Sequence, residues 1–323
     1  MGKKSATTAV VASSNDAAQK GAAASIGAWD RSKFKSSDLL KLTKEGYFPK
    51  DSEDVRVPGA ENTPTPPPGF RVMFVAFLLR GLSLPAHEFL RGLLFIYGVQ
   101  LHDLTPNSVL QIACFVTLCE CFLGVDPHWV LWKRLFCVKR QGRYQTGGFG
   151  CYVRPEIKYF DLHLPENNQG WRTKWFYVKD KHVDGQKLGL DEFRATSDLQ
   201  PKVLWRNSVT EEEVAAMEPL MKKILELHST AGMEVTGLQL IRVFLERRVQ
   251  PLMARARGMW EYSGRRDSTR ISSDELKDEE VDNRVRQFTN LQKKDEVPTN
   301  FPKNPFDKDT ARTEVTFDSS SFF

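Results

Sequence analysis

The sequence has little that would mark a secreted protein. Its 323 residues contain no N-x-[ST] sequon, and the N-terminal stretch has no apolar run of the kind that a secretory signal requires. The chain has five cysteines, and an odd number without such a signal indicates free thiols in a reducing compartment. We therefore expect an intracellular protein, in the nucleus or the cytoplasm.

The chain also lacks the short motifs that identify common catalytic sites. No H-E-x-x-H, G-x-S-x-G or Y-x-D-D motif is present, and the TGGFG stretch has neither the lysine nor the spacing of a phosphate-binding loop. Any chain with 41 acidic residues offers spaced carboxylates, so a transposase-like triad around a metal pair stays open as an alternative. The sequence does not favour an enzyme and indicates no cofactor.

The composition changes along the chain and predicts five regions. Residues 1–28 are rich in Ala, Ser and Gly without a periodic apolar face, and we predict that this tail and the tail at 293–323 are disordered. Between them we predict a helical domain at 29–140, a small β and loop insert at 141–208, and a helical subdomain at 209–292. The predicted fold class is mainly α, with helical bundle-like subdomains around the β insert.

Capping residues predict the helices of the first domain. Thr105 is expected to cap a helix that starts with Pro106 and stops at Gly124. Asp126 and Pro127 repeat this device for the next helix. The apolar run RVMFVAFLLRG, which precedes these helices, fits either a buried strand or a buried helix, because a short apolar run carries no period.

The last subdomain shows similar signals. Thr210 and Glu213 fit a capping box at the start of a helix. Pro219 lies within the same helical pattern, and we expect it to kink the helix or to split it in two.

Four of the five cysteines lie between Leu104 and Arg140. Cys119 and Cys121 would point about 200° apart on a helix, so both cannot face one ion, and the cysteine spacing matches no zinc ribbon or knuckle. The apolar run that contains them also contains Gln111 and Glu120, which disfavours a membrane span. We predict buried thiols in a core, with no metal site and no membrane contact.

A basic stretch follows, because no Asp or Glu occurs from Pro127 to Pro155. Lys and Arg side chains contact phosphates and flat aromatic rings stack on unpaired bases, so this stretch predicts contact with DNA or RNA. A helix with a core face and a basic solvent face would explain the same pattern, and a second basic cluster could instead pair with the acidic last helix. The candidate nucleic-acid-binding residues are Lys133, Arg134, Lys139, Arg140 and Arg143, together with Arg247, Arg248 and Arg255 in the second cluster.

A longer pattern resembles a known family. The blocks RGLSLP, FLRGLLFIYGVQL, LTPNSVL, FVTLCE and FLGVDPHWVLW follow one another between residues 80 and 132. Their order and spacing resemble the plant gypsy-type transposon domain, also called a transposase domain, and the resemblance covers roughly residues 34–291. We predict structural roles for the motif residues Arg80, Asn107, Glu120, Pro127, His128 and Trp132.

The resemblance implies a protein encoded by a transposable element, and it assigns no catalytic residue to this chain. We therefore predict a non-catalytic, transposable-element-derived protein that associates with nucleic acid or with further copies of itself. Two alternatives stay open at this point: a metal-dependent transposase-like nuclease, and a protein-interaction scaffold with a large exposed apolar face.

Overall fold

The computed structural model describes most of the chain between residues 29 and 292. The described residues are 29–45, 47–48, 53–82, 84, 86–142, 146–180, 190–196, 208–229, 234–245 and 278–292. The predicted disordered tails at both ends lie outside these ranges.

Eight α-helices occur in the described ranges, and a π-helical turn at Leu118–Leu123 extends the fourth of them. The helices are α1 (Ser36–Lys44), α2 (Val75–Leu78), α3 (Glu88–Tyr97), α4 (Pro106–Thr117), α5 (Trp129–Leu135), α6 (Glu211–Ser229), α7 (Gly237–Phe244) and α8 (Asp278–Phe288).

Five strands form two small antiparallel sheets in the same ranges. They are β1 (Val55–Arg56), β2 (Phe70–Phe74), β3 (Phe136–Arg140), β4 (Phe149–Val153) and β5 (Trp175–Lys179). In the larger sheet β5 lies between β1 and β2, with Val72 opposite Tyr177. In the smaller sheet β3 pairs with β4.

This is a mixed α/β fold, so the prediction of a mainly α, bundle-like fold with a small β insert is wrong. The central sheet joins β1 and β2 to β5, which lies about a hundred residues further along the chain. The sequence hid β2 and β3 because both join helices without a break: the run RVMFVAFLLRG starts in β2 and continues as α2, and β3 begins directly after α5. Neither junction carries a glycine or proline that would mark it.

The predicted caps of α4 are confirmed. Thr105 Oγ1 accepts a hydrogen bond from Ser108 N at 3.1 Å, and Pro106 is the first helical residue. Gly124 ends the π-helical turn at φ +70°, a conformation that glycine adopts without strain. The cap of α5 differs from the prediction, because His128 rather than Asp126 is the capping residue.

Helix α6 confirms its predicted start and excludes one of the two effects expected of Pro219. Thr210 and Glu213 form the predicted capping box, with N–H to side-chain distances of 3.0 and 3.2 Å. Pro219 does not split the helix, which runs without interruption from Glu211 to Ser229.

A dense aromatic core holds the helices on the smaller sheet. The ring of Trp132 lies 5.2 Å from that of Phe115 and 4.2 Å from that of Phe136, measured between centroids. Its indole N–H donates to the hydroxyl of Tyr97 at 3.1 Å, so the buried polar atom is satisfied. Trp132 is fully buried and is therefore a core residue, as predicted.

The segment Pro106–Leu123 is long and apolar enough to cross a bilayer, and 83% of it is buried inside the protein. Its apolar composition therefore matches its place in the core.

The segment 190–196 lies near α3 and has neither helix nor strand. The side-chain amide of Gln100 donates to Glu192 O at 2.8 Å and accepts from Arg194 N at 2.9 Å. The indole of Trp29 donates to Ala195 O at 2.7 Å, and the ring of Phe193 lies 5.8 Å from that of Trp29. Side chains thus satisfy main-chain groups of this segment that no helix or strand partner satisfies.

Candidate functional site

The smaller sheet carries two of the predicted nucleic-acid-binding residues. Strand alternation turns Phe136 and Val138 of β3 into the core, where they are 0% and 6% exposed, and turns Lys139 to solvent. The Lys139 ammonium lies 5.6 Å from the ring centroid of Tyr152 on β4. Arg140 ends β3, and its side chain is half-buried.

Arg134 and Arg140 have a common feature. The Nε atom of each is buried and has no hydrogen-bond partner in the described residues. No carboxylate of the described ranges forms an ion pair with Arg134, Lys139 or Arg140. Within the described part of the chain, these three cations therefore have no acidic ion-pair partner.

Lys133 is placed differently. Its ammonium donates to Glu213 of α6 at 2.6 Å, and the two side chains are only 12% and 27% exposed. Burial alone would raise the pKa of Glu213, but hydrogen bonds from Lys133 and from Thr210 N, with the lysine charge, hold that pKa below its usual value. Lys133 thus connects α5 to α6, and its charge is already partnered.

The other four candidates, Arg143, Arg247, Arg248 and Arg255, lie outside the described residues. Arg134 lies on α5 with Lys133, whereas Lys139 and Arg140 are neighbours on β3 whose side chains leave opposite faces of the sheet. Arg154 at the end of β4 adds a cation to this region, and it pairs with Glu156 at 3.8 Å.

Hydrogen bonds connect the motif residues Arg80 and Asn107 through Asn168, a residue that the sequence did not single out. Arg80 Nη2 donates to Asn168 Oδ1 at 2.7 Å, and Asn168 Nδ2 donates to Asn107 Oδ1 at 3.0 Å. Asn107 Nδ2 in turn donates to Pro165 O at 2.7 Å. This relay connects the loop at 165–168 to the first turn of α4.

Arg80 is buried without an acidic partner. The residue is 5% exposed, its Nε has no hydrogen-bond partner, and no carboxylate of the described ranges pairs with it. Burial lowers the pKa of its guanidinium to about 10. No local pattern pointed to Asn168, because the contact joins residues 88 positions apart.

Glu120 and His128 act at helix ends. Glu120 contacts His87, with 3.1 Å between Oε1 and Nε2. His87 Nδ1 accepts from Phe89 N at 3.1 Å, so the ring proton lies on Nε2 and is donated to Glu120. His128 Nδ1 accepts from Val130 N at 3.2 Å in the same manner at the start of α5. Burial lowers the pKa of His128, so the ring stays neutral and keeps its acceptor.

The described residues show no metal cluster. No group of three His, Cys, Asp or Glu side chains within the described ranges could hold an ion. Cys114, Cys119 and Cys151 are free and fully buried, and burial raises the pKa of each thiol. A separate cavity of about 60 Å³ lies beside α3, lined in part by Arg71, Gln100 and Phe193.

A comparison with protein families gives the class of the central segment. Residues 72–140 match the model of a family described as "Putative gypsy type transposon". The resemblance drawn from the motif blocks is confirmed over this segment, which is similar to the gypsy-type transposon domain family. No curated protein and no solved structure matches the chain.

The matched segment has a clear structural extent. It runs from within β2, through α2 to α5, to the last residue of β3. It therefore contains the six motif residues, together with Lys133, Arg134, Lys139 and Arg140 of the basic group.

Proposed function

We propose that this transposon-related protein has a non-catalytic role and binds nucleic acid through the basic side of α5 and the β3–β4 sheet. The observation that carries the proposal is the set of three cations, Arg134, Lys139 and Arg140, without an acidic partner in the described ranges. Phosphates would supply the missing negative charge.

The position of Lys139 supports the same role. It is exposed next to an aromatic ring, so it can contact a phosphate while a base approaches Tyr152. Lys133 contributes less than predicted, because Glu213 already satisfies its charge.

Binding of the full chain to a labelled oligonucleotide across a salt series tests the proposal. The variant Arg134→Gln/Lys139→Gln/Arg140→Gln should weaken binding and reduce the slope of log affinity against log salt by about 2 to 3, since each phosphate contact contributes about 0.7–0.9. Flat, negligible binding of the unaltered protein at low salt would contradict the proposal.

A matched control separates these three charges from the net charge of the chain. The variant Lys41→Gln/Lys44→Gln/Lys222→Gln also removes three charges, all from exposed positions on α1 and α6. It should bind with nearly the slope of the unaltered protein. An equal loss in both variants would mean that binding follows overall charge and does not use the β3–β4 sheet.

A further inference from the structure

The outward face of the β3–β4 sheet has a simple composition. The register places Cys137 opposite Tyr152 and Lys139 opposite Gly150. The residues between them, among them Val138 and its partner on β4, turn into the core, so these four positions share the other face. The face thus carries one aromatic ring, one ammonium group, one thiol and a position without a side chain.

Gly150 allows the aromatic ring to lie across the sheet. A Cβ atom at position 150 would lie 2.8 Å from Cε2 of Tyr152 and 2.9 Å from its hydroxyl oxygen. Any larger residue would therefore push the ring away from the strand. The ring occupies the space above the glycine and has the Lys139 ammonium 5.6 Å from its centroid.

From this arrangement we infer that Tyr152 is a base-stacking residue and that the ligand of this face is single-stranded nucleic acid. The inference rests on the proposed function and adds the form of the ligand. A flat ring next to a cation offers a surface for a base and a contact for the adjoining phosphate. The bases of a duplex are stacked on one another and cannot reach such a ring, whereas those of a single strand can.

The ring could instead serve only to cover Gly150 and stabilise the sheet, and two substitutions separate these roles. Tyr152→Leu keeps an apolar side chain over the glycine but removes the aromatic face. Tyr152→Phe keeps the aromatic face and removes the hydroxyl. If Tyr152 has only a structural role, both variants should bind as the unaltered protein does. If its ring stacks on bases, only Tyr152→Phe should do so.

The experiment measures the affinity of full-length variants for single-stranded RNA, single-stranded DNA of the same sequence, and the corresponding duplex. Tyr152→Leu should lose about 5- to 150-fold in affinity for a single strand, the range for removal of a stacking side chain, and should keep its affinity for the duplex. Tyr152→Phe should bind all three as the unaltered protein does. The RNA and DNA arms show which single strand is preferred, and the loss is expected on the preferred one.

The outcomes distinguish this inference from the proposed function. If the leucine variant binds single strands as tightly as the unaltered protein, while binding still depends on Arg134, Lys139 and Arg140, the stacking role is wrong and the proposed function stands. An equal loss for single strand and duplex would likewise contradict stacking, because it would reflect damage to the sheet. Absence of any salt-dependent binding would overturn both.

Discussion

At the scale of single residues, the contact between Lys133 and Glu213 shows that the cations of the basic stretch are not equivalent. Both belong to regions that the sequence marks as charged, and the ammonium and carboxylate lie 2.6 Å apart. Since the contact also joins α5 to α6, we expect its removal to lower the stability of the protein. Lys139, six residues further on, has no such partner in the described ranges and stays exposed.

We expect Lys133→Met to lower the free energy of unfolding at neutral pH by about 1 kcal/mol, a value between those of exposed and buried ion pairs. The folded state lowers the pKa of Glu213 below its ordinary value of 4.5. The stabilisation is therefore present above pH 4.5 and is lost as the pH falls through the folded pKa. Urea unfolding of both proteins at neutral and acidic pH measures the difference, which should shrink in acid.

Lys222→Met is the matched control for this prediction, because Lys222 is an exposed lysine of α6. Its effect on unfolding should be small and should not vary with pH in the acidic range. A difference between Lys133→Met and the unaltered protein that stays constant from neutral to acidic pH would show that Glu213 is not the partner.

The residue scale also shows what the sequence could predict. Thr105 and Gly124 were correctly placed, because a capping hydroxyl and a left-handed glycine act within a few residues of their own position. Asn168 was missed, because its contact with Arg80 is made only after the chain has folded. Asp126 was wrongly predicted as the cap of α5 in place of His128, because the imidazole of a neutral histidine can accept a hydrogen bond from the same N–H as a carboxylate.

At the scale of elements, the approach of α7 to the loop at 161–162 fixes one position closely. Gly237 is the first residue of α7, and a Cβ atom there would lie 1.8 Å from Asp161 O and 2.4 Å from its carbonyl carbon. Both neighbours are main-chain atoms, so a side chain cannot turn away to make room. The helix must shift as a unit if any other residue takes this place.

Gly237→Ala should therefore lower the free energy of unfolding by about 1–3 kcal/mol, the usual cost of overpacking. Gly92 of α3 provides the opposite case, because nothing lies within 4 Å of a Cβ atom at that position. Gly92→Ala should raise the free energy of unfolding by about 0.5–1 kcal/mol, since alanine loses less backbone entropy in a helix. Denaturant unfolding of both variants measures whether each substitution raises or lowers the free energy of unfolding. Destabilisation by Gly92→Ala would contradict the prediction for that position.

The strands were harder to predict than the helices for a physical reason. A helix satisfies its hydrogen bonds within its own segment, whereas a strand needs a partner whose position the local sequence does not reveal. β2 pairs with β5, and the two are separated by all of α2 to α5. β1 has only two residues, so it carries no alternation that could be recognised.

At the scale of the whole molecule, the family segment and the folded unit do not coincide. The match covers residues 72–140 and includes most of β2 and all of β3. The partners of these strands, β5 and β4, both lie after residue 140. The segment that defines the family therefore depends on the chain that follows it to complete both sheets.

We expect a fragment of residues 72–140 to be unable to fold cooperatively, because β2 and β3 would expose the main-chain groups that pair with β5 and β4. Thermal unfolding followed by circular dichroism, with the full chain as the control, tests this. A sharp unfolding transition in the fragment would show that the family segment is a domain by itself.

The hydrogen bonds between the Gln100 side chain and the segment 190–196 have a consequence for which substitutions this surface can tolerate during evolution. The amide of Gln100 contacts only main-chain atoms of Glu192 and Arg194, whose side chains are exposed. These hydrogen bonds therefore do not depend on which side chains occupy the two positions. Phe193 is the exception, since its ring packs against Trp29 and His102. We therefore expect substitutions at 192 and 194 to leave the contact with Gln100 intact, whereas position 193 needs an aromatic residue to keep its packing against Trp29 and His102.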